Sequence, residues 1–120
     1  MNHDFSNKTI VVTGAASGMG RATTLKLREF GATVYAADCN YSGLKETCEQ
    51  SGALPCVIDI SKVDECNALI EKAQSEQGKL DGLVNFAGVI KRNGLLECTD
   101  EEFDFVMDIN VKACFYLCRA

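Results

Sequence analysis

Thr13-Gly14-Ala15-Ala16-Ser17-Gly18-Met19-Gly20 directly follows the apolar run Ile10-Val11-Val12 and opens an amphipathic stretch at residues 21–30. It reads as the turn between a buried strand and a helix. Glycines there permit a tight reversal, let backbone amides come close to a ligand, and let the helix pack near the strand. A helix N-terminus adds unpaired N–H groups and the positive end of the helix dipole, so a pyrophosphate is the natural guest. A glycine-rich turn with no ligand would use the same residues, so the surroundings must decide.

Working outward, Val34-Tyr35-Ala36-Ala37 is a second strand-like run, and it ends at Asp38. That places an acid about 20 residues beyond the glycines, where a dinucleotide site needs a carboxylate for a ribose 2′-hydroxyl. The same carboxylate repels a 2′-phosphate. Ser17, Cys39 and Asn40, which could face such a phosphate, carry no positive charge. The pattern favours NAD over NADP. A strand-end turn or a helix cap is the other use of an acid at this place.

Strands are expected at residues 8–13, 32–37, 54–58 and 83–86. Helices are expected at 18–30 and 41–50, then from a capping box at Ser61-Lys62-Val63-Asp64 to a stop before Gly78. Gly31 and Gly52 read as the stops of the first two helices. Thr99-Asp100-Glu101-Glu102 reads as a second capping box, opening a final helix. The strands are short, nearly unbroken apolar runs, the mark of parallel strands covered on both faces. Alternation of strand and helix gives an α/β, doubly wound parallel sheet in three layers.

In the final helix, Phe103, Val106, Met107, Asn110, Ala113, Cys114 and Leu117 share one face at helical spacing. Asn110 is the polar member of that row, and a satisfied core asparagine is one account of it. From Ile109 onward the helix is apolar nearly all round, so burial on more than one side is expected.

The 120 residues suit one domain, preceded by a polar tail at residues 1–7. A net charge of −5 with no basic stripe argues against nucleic acid. No signal peptide is visible and no uncharged run approaches a membrane span, so the reading is cytoplasmic with no membrane partner. The seven cysteines have no Cys-x-x-Cys spacing, and no metal site is expected; they read as small buried apolar residues.

Taken in order, Thr13-Gly14-x-x-x-Gly18-x-Gly20, Asp38, Asp59, Asn85-Phe86-Ala87-Gly88 and Asn110 resemble the N-terminal half of a classical short-chain dehydrogenase/reductase. The resemblance runs from about Lys8 to Ala120 and implies a Rossmann-type fold, cut after the fourth strand and the helix that follows. It implies NAD-dependent oxidation of an alcohol or reduction of a carbonyl on a small-molecule substrate, by a homo-oligomer (a dimer or tetramer).

Residue by residue, Gly14, Ser17, Gly18, Met19 and Gly20 match the family's pyrophosphate loop. Asp38 matches the adenosine-ribose ligand of its NAD-preferring members, and Asp59, with Ile60, the acid near the adenine amino group. Asn85, Ala87 and Gly88 match the Asn-Asn-Ala-Gly motif that steadies the sheet and lines the cofactor cleft; Phe86 departs from that motif's second asparagine. Asn110 matches the helix asparagine of the catalytic tetrad, where it holds a water linking the active-site lysine to solvent. The final helix resembles the family's main interface helix, with Phe115 and Cys118 toward a partner subunit.

The family's catalytic serine and its active-site Tyr-x-x-x-Lys pair are not found here. Tyr41 and Lys45 have that spacing, but they sit beside the expected adenosine end, far from any reacting carbonyl. A non-catalytic nucleotide-binding or interaction module is therefore the alternative function. By itself the stretch is expected to be marginal or association-prone, because the fourth strand would form an apolar edge. Lys91, Arg92 and Asn93 read as a solvated loop charge pair that could border a substrate entrance.

Overall fold

Thr9–Thr13 (β1) is buried at every position, as a strand covered on both faces must be. The computed structural model describes residues 3–120, so Met1 and Asn2 of the expected polar tail lie outside the described residues. The rest of that tail is not free: Phe5 donates its N–H to the Phe30 carbonyl and packs beneath the sheet.

After β1 come α1 (Gly18–Glu29), β2 (Thr33–Asp38), α2 (Tyr41–Ser51), β3 (Leu54–Val57), α3 (Val63–Gln77) and β4 (Gly82–Asn85). Two further helices, α4 (Asp100–Met107) and α5 (Ala113–Arg119), are joined by a π turn at Asp108–Lys112. The four strands are parallel, in the order β3-β2-β1-β4. Successive residues of β1 and β2 point to opposite faces. Ile10, Val12, Val34 and Ala36 pack with Leu27 and Leu44 of α1 and α2. Val11, Tyr35 and Ala37 pack with Cys66, Leu69 and Ile70 of α3 and Leu117 of α5. This is the expected three-layer, doubly wound α/β sheet.

Register places the site. Thr13 pairs with Ala37 on one side and Asn85 on the other, and Asp38 pairs with Val57. All four strands thus end at one level, and the loops after them converge there. The chain builds β1, β2 and β3 in one direction, then crosses to β4 on the far side of β1. Ligands of such sheets sit where the direction reverses.

Five expectations need correction. Continuous burial holds for β1 and β2, whereas β3 and β4 form the sheet's edges and are only partly covered. Ser61 does not cap α3. Its hydroxyl donates to Asp59 Oδ1 at 2.6 Å, which leaves Lys62 at the cap position with no capping side chain. The final helix is not continuous: the π turn shifts the row, so Phe103 is exposed while Ala113 and Leu117 are buried. The apolar end of that helix is covered on one side only, with Val111 and Phe115 in the open. Finally, only Cys56 and Cys66 of the seven cysteines are buried. Cys39 stands at the lip formed by the end of β2, and Cys114 and Cys118 lie on the uncovered side of α5. Thr99, by contrast, caps α4 as expected, accepting from the Glu102 N–H at 3.1 Å. Among the described residues no helix is long and apolar enough to cross a membrane.

Candidate functional site

The turn after β1 is held from behind by its neighbours. Ala15 N–H donates to the Ala37 carbonyl, and Ala16 N–H to Asp38 Oδ2 at 3.1 Å. The Thr47 hydroxyl on α2 donates to the Ala15 carbonyl at 2.8 Å. Arg21 Nη2 donates to the Ala16 carbonyl at 2.6 Å, and its Nε donates to Thr47 at 2.9 Å. Arg21 and Thr47 are supports that nothing in the sequence pattern singles out.

The front of the turn opens into a cleft of about 490 Å³ along the strand ends. Gly14, Ser17, Gly18, Met19 and Gly20 line it, as do Asp38, Asp59, Ile60, Ala87 and Gly88. Thr13, Ala37, Cys39, Ile58 and Phe86 also line it, and Val89, Phe105 and Ile109, which nothing in the sequence pattern marked, complete the walls. A Cβ on Gly18 would meet nothing within 4 Å, so the surface there is open. Ser17 takes the N-cap position of α1 without a capping side-chain bond, and the first turn holds no acid. The other three helices of eight residues or more have a capping side chain or first-turn acids. The donors at the start of α1 are thus left for an external anion, and a dinucleotide's pyrophosphate fits this open cradle.

The two acids are fixed differently. Asp38 accepts from the Ala16 and Asn40 amides, so it both ties down the turn and faces the cleft. Asp59 accepts from the Ser61 hydroxyl and, at 2.9 Å, from its N–H. These bonds hold its carboxyl below the ordinary range. A depressed carboxylate contributes stability above its unfolded pKa, and that contribution is lost as pH falls through the folded value. Burial, then the Asp38 charge, raises the neighbouring Cys39 thiol, so it stays neutral.

Asn85 and Asn110 do not line the main cleft. They meet in an adjoining cavity of about 140 Å³ with Thr13 and Cys114. Asn85 Oδ1 accepts from the Thr13 hydroxyl, which in turn accepts from the Ala87 N–H, tying β1 to the segment after β4. Asn110 is exposed, not a core residue. Its Oδ1 accepts from the Val89 N–H and its Nδ2 donates to the Val89 carbonyl, both at 2.8 Å. Because it lies within the π turn, its side chain can leave the helix row and clamp the cleft wall. Such turns are frequent at functional sites.

Asn110→Ala removes both bonds at an exposed place, so it should cost only about 1 kcal/mol of stability. The expected signature is faster amide exchange at Val89 with little change in melting. Unchanged Val89 exchange would show that the clamp does not restrain that wall.

The model of the short chain dehydrogenase family matches residues 8–120. The chain belongs to that family. Dehydrogenase/reductase SDR family member 6 of Xenopus laevis is 35% identical over 112 residues, covering 93% of this chain and 44% of that protein. The 2-dehydro-3-deoxy-D-gluconate 5-dehydrogenase of Escherichia coli is 36% identical over 118 residues, 94% of this chain and 46% of that protein. Among solved structures, a 3-ketoacyl-(acyl-carrier-protein) reductase from Brucella melitensis, complexed with NADH, superposes with a TM-score of 0.89 at 30% identity. That match covers 97% of this chain and 49% of that one. The chain thus spans about half the length of the short-chain dehydrogenases that it matches.

Proposed function

We propose that this chain forms the cofactor-binding half of an NAD(H)-dependent oxidoreductase, acting on a small alcohol or carbonyl substrate. The observation that carries the reading is the open, uncapped start of α1 at the Gly18 turn, with Asp38 facing the same cleft. In this reading Ser17, Gly18, Met19 and Gly20 seat the pyrophosphate, and Gly14 lets the turn come close to the β4 side. Asp38 accepts from the adenosine ribose, and Asp59 with Ile60 borders the adenine. Ala87 and Gly88 form the opposite wall, and Asn85 steadies it through Thr13. Bound there, the nicotinamide cofactor supplies or accepts the hydride.

The family's serine and Tyr-x-x-x-Lys proton-handling set is not among these residues. Asn110, the tetrad member present, is assigned the water-holding role by resemblance, beside its clamp on Val89. The same reading carries a cytoplasmic homo-oligomer.

NAD is favoured over NADP because Asp38 would repel a 2′-phosphate. Asp38→Asn removes the charge and keeps one oxygen, so it retains one of the two loop-amide bonds. It should lower the preference for NADH over NADPH by roughly tenfold, the scale of a charge-assisted hydrogen bond. Asp38→Ala should also loosen the turn and weaken both cofactors. Fluorescence titrations with the two reduced nucleotides measure this; an equal loss for both with Asn would remove the ribose role.

A further inference from the structure

The two ends of the cleft differ in charge. Asp38 and Asp59 follow β2 and β3 on one side of β1, whereas Val89, Phe105 and Ile109 lie on the β4 side. Among the described residues no acid lines that second end. Lys91 and Arg92 follow directly after Val89 and Ile90, and both are exposed. Lys91 Nζ stands 5.7 Å from the centroid of the Phe105 ring, which itself faces the cleft. At that distance the face of the ring attracts the ammonium and keeps it beside the cleft wall.

Neither cation enters an ion pair among the described residues. The ion pairs among the described residues engage Arg21, Lys26, Lys45, Lys72, Lys79 and Lys112. Glu102, on the first turn of α4, accepts from Asn93 Nδ2 and not from Lys91 or Arg92. In a chain of net charge −5, Lys91 is thus held against Phe105 of the cleft wall, and Arg92, exposed, is the next residue in the chain.

We propose that this end recognises a carboxylate: the alcohol or ketone handled here is a small organic acid, its carboxylate met by Lys91 and Arg92. A guanidinium offers two parallel N–H donors to a carboxylate, and an ammonium adds a compact charge. The apolar Val89, Phe105 and Ile109 then receive the carbon chain. The inference rests on the cofactor reading above.

The test uses the full natural chain loaded with NADH, which cannot oxidise an alcohol, so binding is read without turnover. Lactate, 3-hydroxybutyrate and gluconate are titrated calorimetrically, each beside its uncharged amide. At least one acid should bind about tenfold more tightly than its amide, as a charge-assisted contact predicts. The double substitution Lys91→Met, Arg92→Met should erase that gap while NADH affinity stays within about twofold. Amides binding as well as acids, an acid preference that survives the double substitution, or no binding by any of the acids would each overturn the proposal and leave the cofactor reading standing. Failure of the unsubstituted protein to bind NADH would overturn the cofactor reading, and this inference with it.

Discussion

Gly18→Val should leave the protein folded and unable to hold NADH. Gly18 has φ +54°, and a Cβ there meets no atom within 4 Å. The cost to the fold is thus backbone strain alone, about 1–2 kcal/mol for a side chain in the left-handed region and somewhat more for a branched one. The cost to the ligand is larger. The new methyl groups would stand over the uncapped first turn of α1, where the proposed pyrophosphate would approach. An affinity loss of roughly 100-fold, about 2.7 kcal/mol, is expected for NADH and NADPH alike. Fluorescence titration reads the loss, and a thermal melt on the same sample shows that the fold persists. NADH affinity within about threefold of the unsubstituted protein would remove the phosphate from this turn.

What the sequence made legible was local. The glycine turn, the acid ending the second strand and the Thr99 cap each depend on residues a few places apart, and the structure has them where the pattern put them. The π turn left no such trace, because a widened turn changes the helix register without changing composition. Its purpose becomes visible only when Asn110 is seen to grip Val89, a partner 21 residues away. Ser61 misled for a related reason. The pattern offered it to the α3 amides, but Asp59, two residues earlier, takes both its hydroxyl and its N–H. The exposure of Cys39, Cys114 and Cys118 was beyond sequence reasoning altogether, since it depends on which faces other elements cover. The same is true of Val89, Phe105 and Ile109, which are ordinary apolar residues until the crossover to β4 brings them to the strand ends.

Gly20→Ala should do the opposite of Gly18→Val and break the fold itself. Gly20 is not in a left-handed conformation, and it lies inside α1, where alanine would ordinarily gain up to about 1 kcal/mol over glycine. Yet a Cβ there would stand 1.9 Å from the Gly14 carbonyl oxygen and 2.5 Å from its carbon. Both are backbone atoms, so no side chain can turn aside to make room. Nor can Gly14 retreat. It has φ +69°, and its own Cβ position is 2.7 Å from Ala87 N and Phe86 C, so the turn already rests on the segment after β4. Pushing Gly14 outward would therefore part the two walls of the cleft and strain the Thr13–Asn85 and Thr13–Ala87 bonds that join them. The net destabilisation should be about 3 kcal/mol or more, the range reserved for overpacking against atoms that cannot move. Denaturant titration of the two variants side by side separates the roles. A Gly20→Ala protein as stable as the parent would mean that α1 can slide along β1, and the close approach of the turn to β4 would then not be what builds the cleft.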